Sequence, residues 1–132
     1  MPTPDGTPLV LLVDDEILAR HALAEYLRTC GYDVLEAADT GEAKEALSHP
    51  DVKIAAVLCR FEPPESANGF QLASWLRQHH PGLPLLLSGT LERAAQAAAD
   101  LCDEGPTLAR PYEPDAVVAA IKQRLAARDR NS

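Results

Sequence analysis

The sequence is poor in aromatic residues and contains no long apolar run. Aromatic residues make up 5% of the 132 residues, so we expect a core of aliphatic side chains and alanine. No apolar run approaches the roughly 20 residues that a membrane-spanning helix needs. The opening stretch, MPTPDGTP, lacks the basic and apolar segments that begin a signal peptide. We therefore expect a cytoplasmic protein with a flexible leader at residues 1–7.

Cysteine is also scarce, and its pattern indicates neither a disulfide framework nor a metal site. The chain has three cysteines, Cys30, Cys59 and Cys102, which is an odd number, and no C-x-x-C pair occurs. Free cysteine is often buried as a small apolar side chain, and disulfides are rare in reducing compartments. We therefore interpret all three as core-filling residues.

Basic residues are outnumbered by acidic ones, 12 against 20, and the formal net charge is −8. An acidic surface repels the phosphates of nucleic acids and of anionic lipids. The charge balance therefore argues against nucleic-acid binding and against binding to a membrane surface.

What the sequence does contain is a regular alternation of apolar runs and amphipathic segments. Predicted strands cover residues 8–16, 32–39, 52–60, 83–89 and 106–110, and predicted helices cover residues 17–31, 40–49, 69–80, 91–102 and 111–128. Gly31 is expected to close the first helix and Thr40 to begin the second. This alternation predicts an α/β fold, an open parallel sheet with helices on both faces. The length fits one domain, which we place at residues 8–128, followed by a polar tail at 129–132.

Charged and polar side chains stand where the predicted strands end. Asp14 and Asp15 follow the first strand, Arg60 ends the third, Ser88 ends the fourth and Arg110 ends the fifth. In open parallel sheets, ligands bind at this carboxyl edge. We therefore expect these side chains to meet in one site. The alternative is that the two acids only cap the first helix.

The chain resembles a response-regulator receiver domain over roughly residues 8–127. The segments that carry the resemblance, in chain order, are LLVDDE, GYDVLEAADTGEAKEAL, NGFQLASWLR, LPLLLSGT and LARPYEPDAV. The resemblance implies a flavodoxin-like (βα)5 doubly wound fold whose five-stranded parallel sheet has the order 2-1-3-4-5. It also implies phosphoryl transfer from a histidine kinase to an aspartate at the end of the third strand.

The resemblance assigns a role to most of the residues at the carboxyl edge. Asp14 and Asp15 match the acids that hold Mg2+, with Asp15 as the direct ligand. Ser88 matches the switch hydroxyl, Arg110 stands at the position of the family's lysine, and Thr107 stands at the position of the switch aromatic. The lysine and the aromatic are therefore both replaced.

The acceptor aspartate is also replaced. Aligned without a gap, its position falls on Arg60, and a shift by one residue would place Cys59 there instead. A guanidinium is always cationic and has no free lone pair, so it cannot attack a phosphoryl donor. We expect Arg60 to form an ion pair with Asp14 or Asp15, because two neighbouring carboxylates would otherwise repel each other. The alternative is that Arg60 turns to solvent.

These departures predict a pseudo-receiver that lacks the acceptor aspartate. We expect a non-enzymatic signalling protein with no cofactor and with weak or absent Mg2+ binding. Its expected partner is a histidine kinase, a phosphotransferase or an output protein, or a second copy bound through the fourth helix, fifth strand and fifth helix. One alternative is a working phosphoacceptor that uses a displaced residue such as Glu62. Another is a small flavodoxin-like protein that binds a nucleotide or flavin.

Overall fold

Residues 7–60, 66–104 and 110–131 are described by the structure, a computed structural model, and they form four strands and five helices. The strands are β1 (Leu9–Asp14), β2 (Asp33–Ala37), β3 (Ala56–Arg60) and β4 (Leu85–Ser88). The helices are α1 (Ile17–Thr29), α2 (Thr40–Leu47), α3 (Ser66–His79), α4 (Leu91–Asp103) and α5 (Pro114–Asn131).

The four strands form one parallel sheet in the order β2-β1-β3-β4. This order confirms the α/β class and the first four positions of the predicted order. The predicted fifth strand, 106–110, falls mostly outside the described residues. Arg110, its last residue, is described and is not part of a strand.

Side chains alternate across the sheet and divide the apolar residues into two cores. Val10 and Leu12 of β1 enter a core that we call the α1-side core, which α1, α4 and α5 cover. Leu11 and Val13 enter the opposite, α2-side core, which α2 and α3 cover. Strands β1 and β3 are buried on both faces. Strands buried in this way have nearly continuous apolar sequences, and these apolar runs are the pattern from which the strands were predicted.

Helix α4 lies on the face of the sheet opposite to the one that right-handed strand–helix–strand crossovers favour. The connections through α2 and α3 both run from β2 toward β4 and cover the same face of the sheet. A right-handed connection from β4 to a further strand in that direction would place its helix on the same face as α2 and α3. Instead α4 packs against α1, β3 and β4, and α5 packs against α1 and α4. As a result Leu87, whose register partner Cys59 belongs to the α2-side core, remains 39% exposed.

The helix ends show one confirmed and one wrong sequence prediction. Gly31 follows the C-cap of α1 with a φ of 109°, a left-handed conformation that glycine adopts without strain. The N-cap of α2 is Asp39 rather than Thr40, because the Asp39 carboxylate accepts the Glu42 amide at 2.8 Å. Glu42 in turn accepts the Ala38 amide at 2.6 Å, so the two acids cap the helix reciprocally.

Two of the three cysteines are joined, which corrects their interpretation as separate core residues. Cys30 at the end of α1 and Cys102 near the end of α4 form a disulfide with a Cα–Cα distance of 5.6 Å. They are 72 residues apart in the sequence, and only the placement of α4 beside α1 brings them together. Cys59 is a free, buried thiol, as expected. In the described part of the chain, no helix has the length and apolar character needed to cross a membrane.

Candidate functional site

Asp14, Arg60 and Ser88 form a row across the carboxyl edge of the sheet. Asp14 is the register partner of Arg60, and Arg60 is the register partner of Ser88. Strand alternation directs all three toward the α1 side, because Leu12 and Leu58, two residues earlier in β1 and β3, belong to the α1-side core. The three side chains are buried, with exposed fractions of 0%, 7% and 6% respectively. Parallel pairing therefore brings these sequence-predicted residues together.

Arg60 forms a bidentate ion pair with Asp14. Its Nε donates to Oδ2 at 2.7 Å, and its Nη2 donates to Oδ1 at 2.9 Å. This planar fork matches the geometry of a carboxylate, which a lysine could engage at only one point. The expected ion pair is thus confirmed, with Asp14 as the partner, and Arg60 does not turn to solvent.

The carboxylate of Asp14 has a further donor besides Arg60. The Glu16 amide donates to Oδ1 at 2.9 Å, and Arg20 donates from Nη1 to the Asp14 backbone carbonyl at 3.1 Å. Burial raises the pKa of Asp14 above its ordinary value, and the Arg60 and Glu16 hydrogen bonds oppose that rise. Both carboxylate oxygens therefore accept hydrogen bonds.

The next two acids have different roles. Asp15 is exposed at the edge. Glu16 is the N-cap of α1, where it accepts the Leu18 amide, and it also accepts a hydrogen bond from Arg128 of α5 at 2.9 Å. Partial burial raises the pKa of Glu16, but the Arg128 and Leu18 hydrogen bonds outweigh it, so the net shift is downward. Capping of α1 thus falls to Glu16, and Asp14 supports it through the Glu16 amide.

Arginines lie beside the acids of this edge, and one of them, Arg20, also forms an ion pair with Glu36. Three acids, Asp14, Asp15 and Glu16, stand near three arginines that contact Asp14 or Glu16. These arginines are Arg20, Arg60 and Arg128. The last residue of β3, Arg60, carries a guanidinium, which cannot act as a nucleophile.

Arg110 does not join this row. Its guanidinium pairs with Asp103 at 2.6 Å, and it also lies near Glu113 and Asp100. Asp103 ends α4, which begins at Leu91 close to the carboxyl edge, so it lies about 18 Å farther along the helix. The hydrogen bond from Arg110 lowers the pKa of Asp103. The structure therefore places Arg110 at the opposite edge of the sheet from Asp14.

Cys59, the alternative acceptor position, faces away from the site. It belongs to the α2-side core, whereas Asp14 and Arg60 face the α1 side. Burial, together with the charge of Asp14, raises the pKa of the Cys59 thiol to about 12, so it remains protonated at neutral pH. Two other predicted positions, Thr107 and Glu62, lie outside the described residues.

Sequence reasoning missed Arg20 and Arg128, which donate hydrogen bonds to Asp14 and Glu16. Arg20 lies on α1, six residues after Asp14, where a helical residue can reach back to the preceding strand end. Arg128 lies 112 residues from Glu16, so no local pattern could have indicated it. Its contact depends on α5 running antiparallel to α1, with the end of α5 near the start of α1.

Comparison with known families decides what kind of domain carries this site. The family model described as response regulator receiver domain matches residues 10–122. The chain belongs to the response regulator receiver domain family. This receiver is 35% identical over 83 residues to the aerobic respiration control protein ArcA of Escherichia coli strain K12, a match that covers 63% of the chain and 34% of ArcA. It thus spans about a third of the length of that curated relative.

Solved receiver structures share the fold. A CheY-like receiver domain protein from Methanospirillum hungatei aligns with a TM-score of 0.56 at 20% identity, covering 96% of this receiver and 99% of that chain. A response regulator receiver protein from Pseudomonas putida gives 0.56 at 25% identity, with 89% and 97% coverage. The protein TrrA of Thermotoga maritima, in complex with Mg2+ and beryllofluoride, gives 0.57 at 22% identity, with 89% and 98% coverage. The receiver domain is a module of two-component signalling, and its flavodoxin-like parallel fold is the one predicted from the sequence.

Proposed function

We propose that this receiver acts through protein–protein contacts and without an aspartyl-phosphate cycle. The observation that carries the proposal is the buried, bidentate pair between Arg60 and Asp14 at the ends of β3 and β1. A receiver needs a nucleophilic carboxylate at the end of β3, and a guanidinium cannot replace one. Arg60 also holds the carboxylate of Asp14, the acid beside that position.

We further propose that Mg2+ binding is weak or absent. Mg2+ requires oxygen ligands in near-ideal octahedral geometry. The Asp14 oxygens already accept three hydrogen bonds, and the guanidinium lies within hydrogen-bonding distance of both. A metal ion would have to displace Arg60 from a buried pair and would then share the site with its positive charge. Asp15, the exposed acid, is the carboxylate that remains available, and one carboxylate is a weak magnesium site.

The proposed partner is another signalling protein, namely a histidine kinase, a phosphotransferase or an output protein. A homodimer through α4, α5 and the intervening segment is included in this proposal, and a sedimentation measurement would test it. The net charge of −8 supports contact with proteins rather than with nucleic acid or a membrane surface. We place the receiver in the cytoplasm and assign it no catalytic activity of its own.

The experiment is incubation with Mg2+ and acetyl phosphate, followed by intact-protein mass spectrometry. The native chain is compared with Arg60→Asp, which restores the acceptor carboxylate. The matched control is Arg60→Asn, whose side chain has the size of aspartate but lacks the nucleophilic carboxylate. We expect a phosphoryl adduct on Arg60→Asp alone. An adduct on the native chain would overturn the proposal, and peptide mapping would show whether a displaced residue such as Glu62 carries it.

A further inference from the structure

The disulfide between Cys30 and Cys102 joins two helix ends that are distant in the sequence. Cys30 is the C-cap of α1, and Cys102 is the second-last residue of α4. Both residues are buried, with exposed fractions of 0% and 1%. The bond therefore fixes the end of α4 to the end of α1, at the edge of the sheet opposite Asp14.

The non-covalent contacts of α4 involve small side chains for the most part. Four of its seven buried residues are alanines, Ala94, Ala95, Ala98 and Ala99, which bury little apolar surface each. Near the disulfide, the Tyr32 hydroxyl donates to the Leu101 carbonyl at 2.7 Å. The pair between Asp103 and Arg110 also lies at this end of the helix. The covalent bond adds to these contacts by tying Cys102 directly to the end of α1.

The bond is buried, yet a small opening would expose it. Cys102 lies in the last turn of α4, and helix ends open locally at low cost. Such an opening unwinds the last turn of α4 and separates Tyr32 from Leu101, which exposes the sulfur atoms while the bond still joins Cys102 to Cys30. A reductant can therefore reach the sulfur atoms without unfolding the sheet.

The third cysteine does not compete for this chemistry. Cys59 lies in the α2-side core, on the other face of the sheet from Cys30 and Cys102. Its thiol remains protonated because burial raises its pKa to about 12, so it cannot act as an attacking thiolate. Exchange is thus confined to one pair.

We propose that Cys30 and Cys102 are a reversible redox-modification site that controls the attachment of α4. A dithiol reductant attacks one sulfur as a thiolate, the disulfide bond breaks, and a mixed disulfide forms. The second thiol of the reductant then displaces the protein sulfur. Two electrons and two protons pass to the protein, which holds two thiols, while the reductant becomes a disulfide. Oxidation by a disulfide such as oxidised glutathione reverses the step.

The expected consequence is largest at the end of α4. After reduction this end is held by apolar packing, by the Tyr32 hydrogen bond and by the pair between Asp103 and Arg110, so its last turns open more often. The strands β1 and β3, in the centre of the sheet, open only when the whole chain unfolds. A bond with this effect suits a redox sensor, the usual role of a disulfide in a reducing compartment. The inference does not depend on Arg60, and its sensor role rests on the proposed cytoplasmic location.

The test uses the full chain equilibrated in mixtures of reduced and oxidised glutathione, quenched with acid and alkylated. We expect two alkylatable thiols to appear and disappear together, reversibly, with Cys59 protected until the chain unfolds. Backbone hydrogen exchange at the end of α4 should become faster by at least about tenfold on reduction, while the amides of β1 and β3 remain the slowest to exchange in both redox states. Cys59→Ala should behave like the native chain, and Cys30→Ser should resemble the reduced chain under all conditions.

Several results would overturn the inference. Alkylation of Cys30 and Cys102 in the oxidising mixture would mean that the bond does not form, and a bond that cannot be re-formed after reduction would mean that it is not reversible. Equal α4 exchange in the two redox states would mean that the bond does not control α4. If Cys30→Ser does not fold, the comparison of oxidised and reduced native chain remains decisive.

Discussion

At the residue scale, Arg60 changes the chemistry of the carboxyl edge. A buried ion pair need not stabilise a protein relative to an apolar pair, but removing one partner leaves an uncompensated buried charge. Asp14 is fully buried and accepts two hydrogen bonds from Arg60. If Arg60 were removed, the Asp14 carboxylate would be a buried charge without a counter-charge.

The variant Arg60→Met tests this dependence. We expect it to lower the free energy of unfolding at neutral pH by about 3–5 kcal/mol, because the Asp14 carboxylate loses its counter-charge. The double variant Asp14→Asn with Arg60→Met should be much less destabilised, since no unpaired charge remains. Urea unfolding of the three chains measures the difference, and equal losses in the single and double variants would contradict the account.

The pH dependence of the same variant follows from the pKa of Asp14. Because burial raises that pKa above its ordinary value of 3.8, the native chain holds the Asp14 proton more tightly than the unfolded chain does. The stability contributed by this proton is fully present below pH 3.8 and is lost as the pH rises through the native pKa. Arg60→Met removes the guanidinium that limits the rise, so its deficit should widen from acid to neutral pH. A deficit that does not change with pH would argue against Asp14 as its source.

The ion pair could be predicted from the sequence, whereas the position of Arg110 could not. The sequence placed Asp14 and Arg60 at adjacent strand ends, where opposite charges attract. Arg110 was expected at the same edge because a fifth strand was assumed to lead to it. Its actual partner, Asp103, depends on where α4 ends, which no local pattern determines.

At the element scale, the sequence predicted the type and order of elements better than their ends. The four described strands and five helices were all expected, because apolar runs and helical periodicity are local properties. Helix α3 begins at Ser66, three residues before its predicted start at residue 69. The face occupied by α4 was not predicted, since its alanine-rich surface can pack against either side of a sheet.

The cap of α2 gives a test at this scale. Asp39→Ala should lower the free energy of unfolding by about 1 kcal/mol, because the Glu42 amide loses its acceptor. Thr40→Ala is the matched control at the residue expected from the sequence to be the cap. It should change stability by less than about 0.5 kcal/mol. Thermal unfolding followed by circular dichroism compares the two, and a larger loss for Thr40→Ala would show that the cap is misassigned.

At the scale of the whole molecule, three helices on one face and two on the other enclose the sheet. The three-helix layer is held by apolar packing and by the disulfide, which closes a loop across much of the chain. The sequence indicated a receiver-like sheet but not this layer, because the layer depends on contacts such as Cys30 with Cys102 over 72 residues.

Reduction of the disulfide should therefore affect global stability. For a loop of this length, loss of the cross-link is expected to lower the free energy of unfolding by up to about 4 kcal/mol. Urea unfolding with and without a dithiol reductant measures the effect, and Cys59→Ala serves as the control that keeps the bond. An unchanged midpoint in the reduced native chain would show that the bond contributes nothing to the fold.

The most direct test of the central claim, that Arg60 occupies the phosphorylation site, is a titration with Mg2+ and beryllofluoride followed by NMR amide shifts. The native chain, Arg60→Asn and Arg60→Asp are compared under identical conditions. The account predicts no saturable shifts near Asp14, Asp15 and Ser88 in the native chain, and saturable shifts at these positions in Arg60→Asp. Saturable shifts in the native chain would contradict the account and would mean that this receiver still binds metal and phosphoryl groups at the carboxyl edge.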